Sequence, residues 1–295
     1  MKITNIHNLP DEIVKTITSN NYNKGLKTDY SITELLKPPQ IVMLEKRHHQ
    51  ELEEDVSEGV WMLMGNIAHK LLEEQGKGIS EERLYTTVLN NVISGQADLW
   101  YNEQITDYKV TSVWSVVYDS RKKDWENQLN MYAYLFRIHN FLVNKVQIVA
   151  ILRDWNKNES LRNPDYPKIP IQVIPIDLWT IEKQVAYLNL RVGIMEANKS
   201  FADDKLSACT KEEMWEKETK WALMKEGQKR AVKLLLTEKE ANEEKAYLNF
   251  ATKKHYVQER PGERTRCESY CSVNQFCHQY KQYKNVQNNN NIINA

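Results

Sequence analysis

One short stretch limits the folds open to this chain more than any other: Gly95-Gln96-Ala97-Asp98-Leu99-Trp100-Tyr101-Asn102-Glu103-Gln104-Ile105-Thr106-Asp107-Tyr108-Lys109. If Asn102-Glu103 is a two-residue hairpin turn, Tyr101 pairs with Gln104 and Asp98 falls directly opposite Asp107. Opposed side chains of an antiparallel pair stand about 4.5–5.5 Å apart at Cβ, and like charges there repel. A cation between them removes that repulsion, and carboxylate oxygens are the ligands Mg²⁺ and Mn²⁺ prefer. Lys109, two residues past Asp107, projects from the same strand face. Two acids to hold metal, with a lysine for a phosphate or a developing hydroxide, suit phosphodiester cleavage. A hairpin with solvated charges accounts for these residues equally well.

The flanking segments add partners. Trp61–Glu73 has helical periodicity and sets His69 and Glu73 one turn apart on one face. An imidazole there can reach the same cation, with Glu73 orienting it or a bound water, although a lone helical histidine is usually structural. Downstream, Asp124–Phe136 is a second helical stretch with Gln128 and Tyr132 at i and i+4. These are neutral hydrogen-bonding groups able to position a DNA phosphate or the lysine, or else part of the core. The order is His, Asp, Asp-x-Lys, then Gln-x-x-x-Tyr, an agreement that chance does not readily produce.

That order resembles the PD-(D/E)XK nuclease superfamily, in particular its RecB-like exonuclease branch, often found in phages. The matching residues are Gly65-x-x-x-His69-x-x-x-Glu73, Gly95-x-x-Asp98, Asp107-x-Lys109 and Gln128-x-x-x-Tyr132, and Tyr30–Pro39 looks like the Ser-containing opening segment of that branch. The resemblance implies a restriction-endonuclease-like core in which His69, Asp98, Asp107 and the Tyr108 carbonyl hold Mg²⁺ or Mn²⁺. Lys109 would orient the attacking water, and Gln128 and Tyr132 would fix the substrate strand. The activity implied is a metal-dependent DNA exonuclease, phage-encoded and serving recombination, repair or processing, with DNA and a helicase or recombination protein as partners. The alternatives are an endonuclease, or a catalytically silent DNA-binding or assembly module on the same fold; the complete acid and lysine set favours an active enzyme.

Cysteine usage is the second informative feature. Of the four, Cys209, Cys267, Cys271 and Cys277, the last three cluster as Cys-x-x-x-Cys-x-x-x-x-x-Cys. Clustering points to a bound metal, and a reducing compartment argues against disulfides. Ligand count alone fits Zn²⁺ or an iron–sulfur cluster equally. The family resemblance favours [4Fe–4S] with Zn²⁺ as the alternative, because several RecB-like relatives carry such a cluster. In those relatives the first cysteine precedes the nuclease core, whereas here none lies before Cys209; His278 is the fallback for a fourth ligand.

Lys and Arg number 40 and Asp and Glu 40, so net charge does not advertise a nucleic-acid partner. A local basic groove around an acidic metal site is still compatible with that balance. Met1–Leu9 has no apolar run long enough for a signal peptide, and no segment nears membrane-spanning length. The expectation is therefore a soluble, cytoplasmic protein, in the host cytoplasm if phage-encoded. No internal repeat and no Gly-rich phosphate loop occurs, which argues against an ATP-driven motor.

The pattern predicts an α/β fold: a mixed central sheet flanked by helices, followed by a small α+β annex. The expected divisions are an N-terminal extension over 1–30, the nuclease core over 31–200, the cysteine-cluster annex over 201–284 and a disordered tail over 285–295. Within the core, 31–75 is mainly helical with a break at Pro38-Pro39. Residues 82–110 form three strands, with Val92–Trp100 and Ile105–Val110 holding the acids. A helix covers 122–140, Lys145–Arg153 is a buried strand, Ile171–Asp177 another, and Trp179–Lys199 an amphipathic helix. In the annex, Thr219–Lys225 and Arg230–Leu236 form a hairpin around Gly227. Thr237-Glu238-Lys239-Glu240 caps a helix to Phe250, and His255–Arg260 is a strand. Lysines and arginines between Lys220 and Arg266 make the annex locally basic, as a solvated face or a DNA track.

Overall fold

The computed structural model describes residues 1–19, 27–75, 77–252 and 254–293. They divide into two compact units, Met1–Ala202 and Asp203–Ala295.

The N-terminal residues belong to the first unit. Strand β1 (Lys2–Thr4) and helix α1 (Asp11–Thr18) come first, and β1 runs parallel to β3 (Glu53–Asp55). Asp55 fastens this pair, its Oδ2 accepting from the Ile6 N–H at 2.8 Å and from Thr4 Oγ1 at 3.1 Å. Strand β2 (Tyr30–Ser31) leads into α2 (Ile32–Leu36) through a capping box. Ser31 Oγ accepts from the Glu34 N–H, and Glu34 Oε2 accepts from the Ser31 N–H. Lys37, preceding proline, is extended at ψ 154, which ends α2, and Pro39 occupies the first position of α3 (Pro39–Arg47). Helix α4 (Val60–Gln75) follows β3 and a short 3₁₀ turn, and none of its residues is buried. Trp61 and Leu71 are each 58% exposed, and the Arg153 guanidinium stacks over the Trp61 ring at 4.0 Å.

Four strands occupy the stretch where three were expected: β5 (Arg83–Val88), β6 (Asn91–Gln96), β7 (Leu99–Tyr101) and β8 (Gln104–Thr111), preceded by β4 (Ile79–Ser80). Leu89-Asn90 and Asn102-Glu103 form the two tight turns, all four residues having positive φ, as type I′ hairpins require. The predicted strand Val92–Trp100 breaks at Ala97-Asp98. Pairing of β7 with β8 stops at Leu99↔Thr106, and Asp98 Oδ2 takes the Tyr108 N–H at 2.6 Å. A side chain thus replaces the backbone ladder where Asp98 was expected to face Asp107. In consequence β6 lies in a sheet of order β2-β6-β5, while β7 lies in the larger sheet.

That larger sheet is completed after α5 (Val113–Val117) and α6 (Lys122–Ile138) by β9 (Lys145–Leu152), then α7 (Lys157–Arg162) and β10 (Ile171–Ile176), before α8 (Ile181–Lys199). Its order is β10-β9-β8-β7-β4. Strand β9 runs parallel to β8, a pairing that needs the long crossover through α6, and antiparallel to β10. The sheet is therefore mixed. Val146, Ile148, Ala150 and Leu152 of β9 are buried, while the residues between them are half-buried. Leu129 and Leu135 of α6 and Leu188 and Met195 of α8 fill the core, each fully buried side chain adding about 1.5–3 kcal/mol. Asn130, also fully buried, is satisfied on both sides: it donates to Glu126 O and Asp177 O and accepts from Trp179 N–H and Gln184.

In the second unit a three-stranded antiparallel sheet has order β12-β11-β13, with β11 (Lys220–Lys225), β12 (Lys233–Leu235) and β13 (His255–Arg260). The expected hairpin is present with a shorter second strand, Gly227 at φ 77 serving the turn. Helix α9 (Glu238–Thr252) starts at the expected box, Thr237 N–H donating to Glu240 Oε2 and Glu240 N–H to Thr237 Oγ1. Gly262 sits so close to the preceding chain that a Cβ would lie 2.2 Å from Lys217 O. Helices α10 (Thr265–Ser269) and α11 (His278–Ile293) follow. The latter runs through most of the segment expected to be disordered from 285; Asn294 and Ala295 lie outside the described residues. Lys284 bonds Glu268 at 3.0 Å and Gln287 bonds Tyr283 at 2.5 Å, which carries the helix into the Asn-rich stretch. Among the described residues no helix is long and apolar enough to cross a membrane.

Candidate functional site

The tight turn at Asn102-Glu103 aligns β8 against β7, and the parallel pairing of β8 with β9 buries Asp107 beside Ile148. Asp107 is 1% exposed, and its Oδ2 faces Lys109 Nζ at 2.6 Å without taking a well-directed hydrogen bond. Period-2 geometry brings Lys109 to the same strand face. Helix α4 passes over β8 and supplies His69, whose Nε2 lies 2.9 Å from Tyr108 O and whose Nδ1 lies 3.3 Å from Asp98 Oδ1. Asp98 thus holds the strand through one oxygen and the imidazole through the other.

These groups line one cleft of about 460 Å³, together with Glu73, Gln128 and Tyr132. Gln128 Nε2 donates to Tyr132 Oη at 3.0 Å across one turn of α6. Each predicted side chain of the nuclease-type site therefore reaches one cavity, and Tyr108 contributes its carbonyl next to His69. Glu73 shares the wall, but the imidazole is oriented by Tyr108 O and Asp98. Gly95 belongs to the packing: a Cβ there would meet Ile32 Cδ1 at 2.5 Å, Leu135 Cδ1 at 2.6 Å and Tyr132 Cδ1 at 3.1 Å. Gly65, by contrast, faces open space.

The electrostatics are those of a cleft rich in carboxylates. Burial pushes the Asp107 carboxyl up to about 6, against the pull of the Lys109 ammonium and with a further push from Asp98. Burial works against the Lys109 charge as well, but Asp107 and Asp98 outweigh it and hold its pKa above the ordinary value. His69 is also held up, first by its hydrogen bond to Asp98.

Sequence reasoning missed Glu81. Its Oε1 lies 4.0 Å from His69 Nδ1, and one ligand atom from each of His69, Glu81 and Asp98 lies within 4.8 Å of the others. Ligands at about 2.0–2.2 Å from one ion stand up to roughly 4.4 Å apart, so that spacing is close to what a metal draws together. Burial and then the Asp98 charge push the Glu81 carboxyl up. The signal that would have found it is the β4–β7 register. Ile79 pairs with Trp100 and Ser80 with Leu99, so the next residue on each strand is Glu81 and Asp98. The donor set, an imidazole with carboxylates and a backbone carbonyl nearby, fits Mg²⁺ or Mn²⁺.

In the second unit none of the four cysteines forms a disulfide, Cys277 being buried and the others half-buried. Burial pushes the Cys209 thiol up to about 12, with Glu213 and the charges of Cys277, Cys267 and Cys271 adding to it. Burial likewise raises Cys267 to about 11, reinforced by Cys271 and Cys277. Among the described residues, however, no three of the four sulfurs lie within 4.8 Å of one another. Gln279 clasps the Cys209 backbone, accepting from its N–H at 2.9 Å and donating to its carbonyl at 3.0 Å. Asn274 donates to Cys267 O at 2.9 Å, and the Tyr280 N–H in the first turn of α11 points at Cys277 Sγ from 3.4 Å. His278, the fallback ligand, contacts Gln282 on its own helix.

No protein-family model and no curated protein matches this chain. Among solved structures, the crystal structure of SSO0001 aligns with a TM-score of 0.40 and 18% identity, covering 62% of this chain and 84% of that one. A phage-related exonuclease from Haemophilus somnus 129PT aligns with a TM-score of 0.27 and 14% identity, covering 64% of this chain and 81% of that one. Likeness at this level carries no functional weight.

Proposed function

We propose that this chain is a divalent-metal-dependent deoxyribonuclease of the PD-(D/E)XK superfamily, in its RecB-like branch, acting as an exonuclease. The single observation that supports this most is the meeting of His69, Asp98, Asp107, Lys109, Gln128 and Tyr132 in one cleft. In this reading His69, Asp98, Asp107 and the Tyr108 carbonyl hold Mg²⁺ or Mn²⁺. The chemistry such an ion supplies when bound is polarisation of a phosphoryl oxygen and activation of water. Lys109, kept protonated by Asp107, presents an N–H to the scissile phosphate or the attacking water. The Gln128–Tyr132 pair offers donors to the neighbouring phosphate, and Glu73 orders water at the rim. Asp107 stays ionised beside the ammonium at the pH where cleavage is fast. DNA is the substrate partner, a helicase or recombination protein the proposed second partner, and phage recombination, repair or processing in the host cytoplasm the proposed setting.

For the annex we propose that Cys209, Cys267, Cys271 and Cys277 hold a [4Fe–4S] cluster, with Zn²⁺ as the alternative. The spacing of Cys267, Cys271 and Cys277 in the chain and the N–H aimed at Cys277 Sγ support a thiolate-bound metal. Closing the long loop from Cys209 to Cys267 would then couple metal binding to folding of this unit.

The test is cleavage of end-labelled linear and of circular DNA with Mg²⁺ or Mn²⁺, using wild type, Asp107→Asn and Lys109→Ala. Losses on the order of a hundredfold or more are expected in both variants, with linear DNA degraded and circles spared. Wild-type rates in either variant would end the catalytic assignment, and cut circles would make it an endonuclease. DNA binding without cleavage by wild type would leave the silent module. Anaerobic purification with an absorption spectrum and iron and zinc analysis decides the annex metal.

A further inference from the structure

We propose that Glu81 is a further side-chain ligand of the divalent ion, beside His69, Asp98 and Asp107, and that Gln96 is the positioning residue that aims it. The proposal rests on reading the cleft as a metal centre, not on DNA cleavage.

A carboxylate can merely decorate a cleft wall, so the way Glu81 is held is what decides. Gln96 Nε2 donates to Glu81 Oε2. The Gln96 amide cannot turn the other way, because its Oε1 accepts from Arg83 Nη2 at 2.5 Å and Arg83 Nη1 donates to Ser94 Oγ at 3.2 Å. A guanidinium has only donors, so it settles which end of the amide faces Glu81. One carboxylate oxygen is therefore engaged from behind, and the other, Oε1, is turned towards the His69 imidazole and the cleft. Metal-binding carboxylates are typically held through such an outer hydrogen bond.

The backbone adds to this. Glu81 sits at φ 55, in the left-handed region. A non-glycine residue there costs about 1–3 kcal/mol and persists only where its surroundings impose it. That conformation ends β4 and swings the side chain next to Asp98, the residue its strand register faces. The result is two carboxylates, Glu81 and Asp98, beside one imidazole, with Glu73 lining the same cleft. Lys109 is committed to Asp107 at 2.6 Å. A divalent cation between His69, Glu81 and Asp98 supplies the missing positive charge, and the hard oxygen-rich set selects Mg²⁺ or Mn²⁺ over softer metals.

The experiment is Mn²⁺ binding to the full chain, followed by calorimetry and by the electron-spin resonance of the free ion, with no DNA present. Mn²⁺ is chosen because thiolates in the annex compete poorly for it. Asp98→Asn identifies the cleft component of binding. Glu81→Gln should weaken that component by on the order of a hundredfold, and Gln96→Ala, which leaves the carboxylate in place, by about tenfold. Urea midpoints of all variants report folding, and if Glu81→Gln is poorly folded, Gln96→Ala carries the test alone. Cleft binding lost in Asp98→Asn but unchanged in Glu81→Gln or Gln96→Ala overturns the ligand role of Glu81 while leaving the metal centre intact. No cleft binding in wild type overturns both. Tight, Glu81-dependent binding without any DNA cleavage supports the ligand assignment and removes the nuclease reading.

Discussion

Gly95→Ala tests whether the cleft is built by close packing of β6 against two helices. The new methyl would stand 2.5 Å from Ile32 Cδ1, 2.6 Å from Leu135 Cδ1 and 3.1 Å from Tyr132 Cδ1. Carbon atoms settle at about 3.5–4.0 Å, so two neighbours must retreat by roughly 1 Å and the tyrosine by somewhat less. Ile32 and Leu135 are each 1% exposed. Overpacking of this kind costs about 1–3 kcal/mol, and two contacts this short place Gly95→Ala in the upper half of that range. Leu135→Ala alone should cost about 2–5 kcal/mol by leaving a cavity. The double variant refills part of that cavity with the new methyl, so its loss should fall short of the sum by about 1 kcal/mol or more. Urea denaturation of the four proteins, fitted to the transition that Leu135→Ala shifts, measures the cycle. A Gly95→Ala midpoint equal to wild type, or strict additivity in the double variant, would refute the packing argument.

Two further outcomes follow from single side chains. The Ile6 N–H, and then Ser57, hold the Asp55 carboxyl well below the ordinary carboxylate range. The stability it adds is full above its unfolded value of about 3.9 and drains away as pH falls below that. The gap between wild type and Asp55→Asn in urea titrations should therefore shrink below about pH 4, and a pH-independent gap would sink the idea. In the second unit, Gly262→Ala drives a methyl onto backbone, 2.2 Å from Lys217 O and 3.0 Å from Thr219 N. Backbone cannot swing aside as a side-chain end can, so a loss at or above about 3 kcal/mol is expected. It should appear as rapid proteolysis within residues 203–293, and wild-type resistance would contradict it.

Much of the cleft was legible in the chain because local periodicity decides it. Asn102-Glu103 marked the turn, the alternation beyond it put Asp107 and Lys109 on one face, and helical spacing put Gln128 beside Tyr132. The break at Asp98 was not legible, because a side chain taking the Tyr108 N–H leaves no trace in hydrophobic pattern. Glu81 escaped for another reason. Its nearness to Asp98 comes from the pairing of β4 with β7, strands separated by a complete hairpin of another sheet. Composition points to disorder from 285, since an Asn-rich run is a poor helix former; the described residues as far as Ile293 continue α11 past its bonds at Lys284 and Gln287.

Helix α4 has a consequence for motion. It carries His69, yet buries none of its residues, so the hydrophobic burial that fixes most helices contributes little here. The histidine's links to Tyr108 O and Asp98, with the Arg153–Trp61 stack, are strong points on its inner side. Segments with few buried apolar contacts open by local fluctuations well below the cost of global unfolding. Any ligand that engages His69 in its seated position binds only the closed form, and at a hundredfold excess over its Kd stabilises that form by about 2.7 kcal/mol. Occupancy of the cleft and the amide-exchange protection of α4 are then one equilibrium seen from two sides.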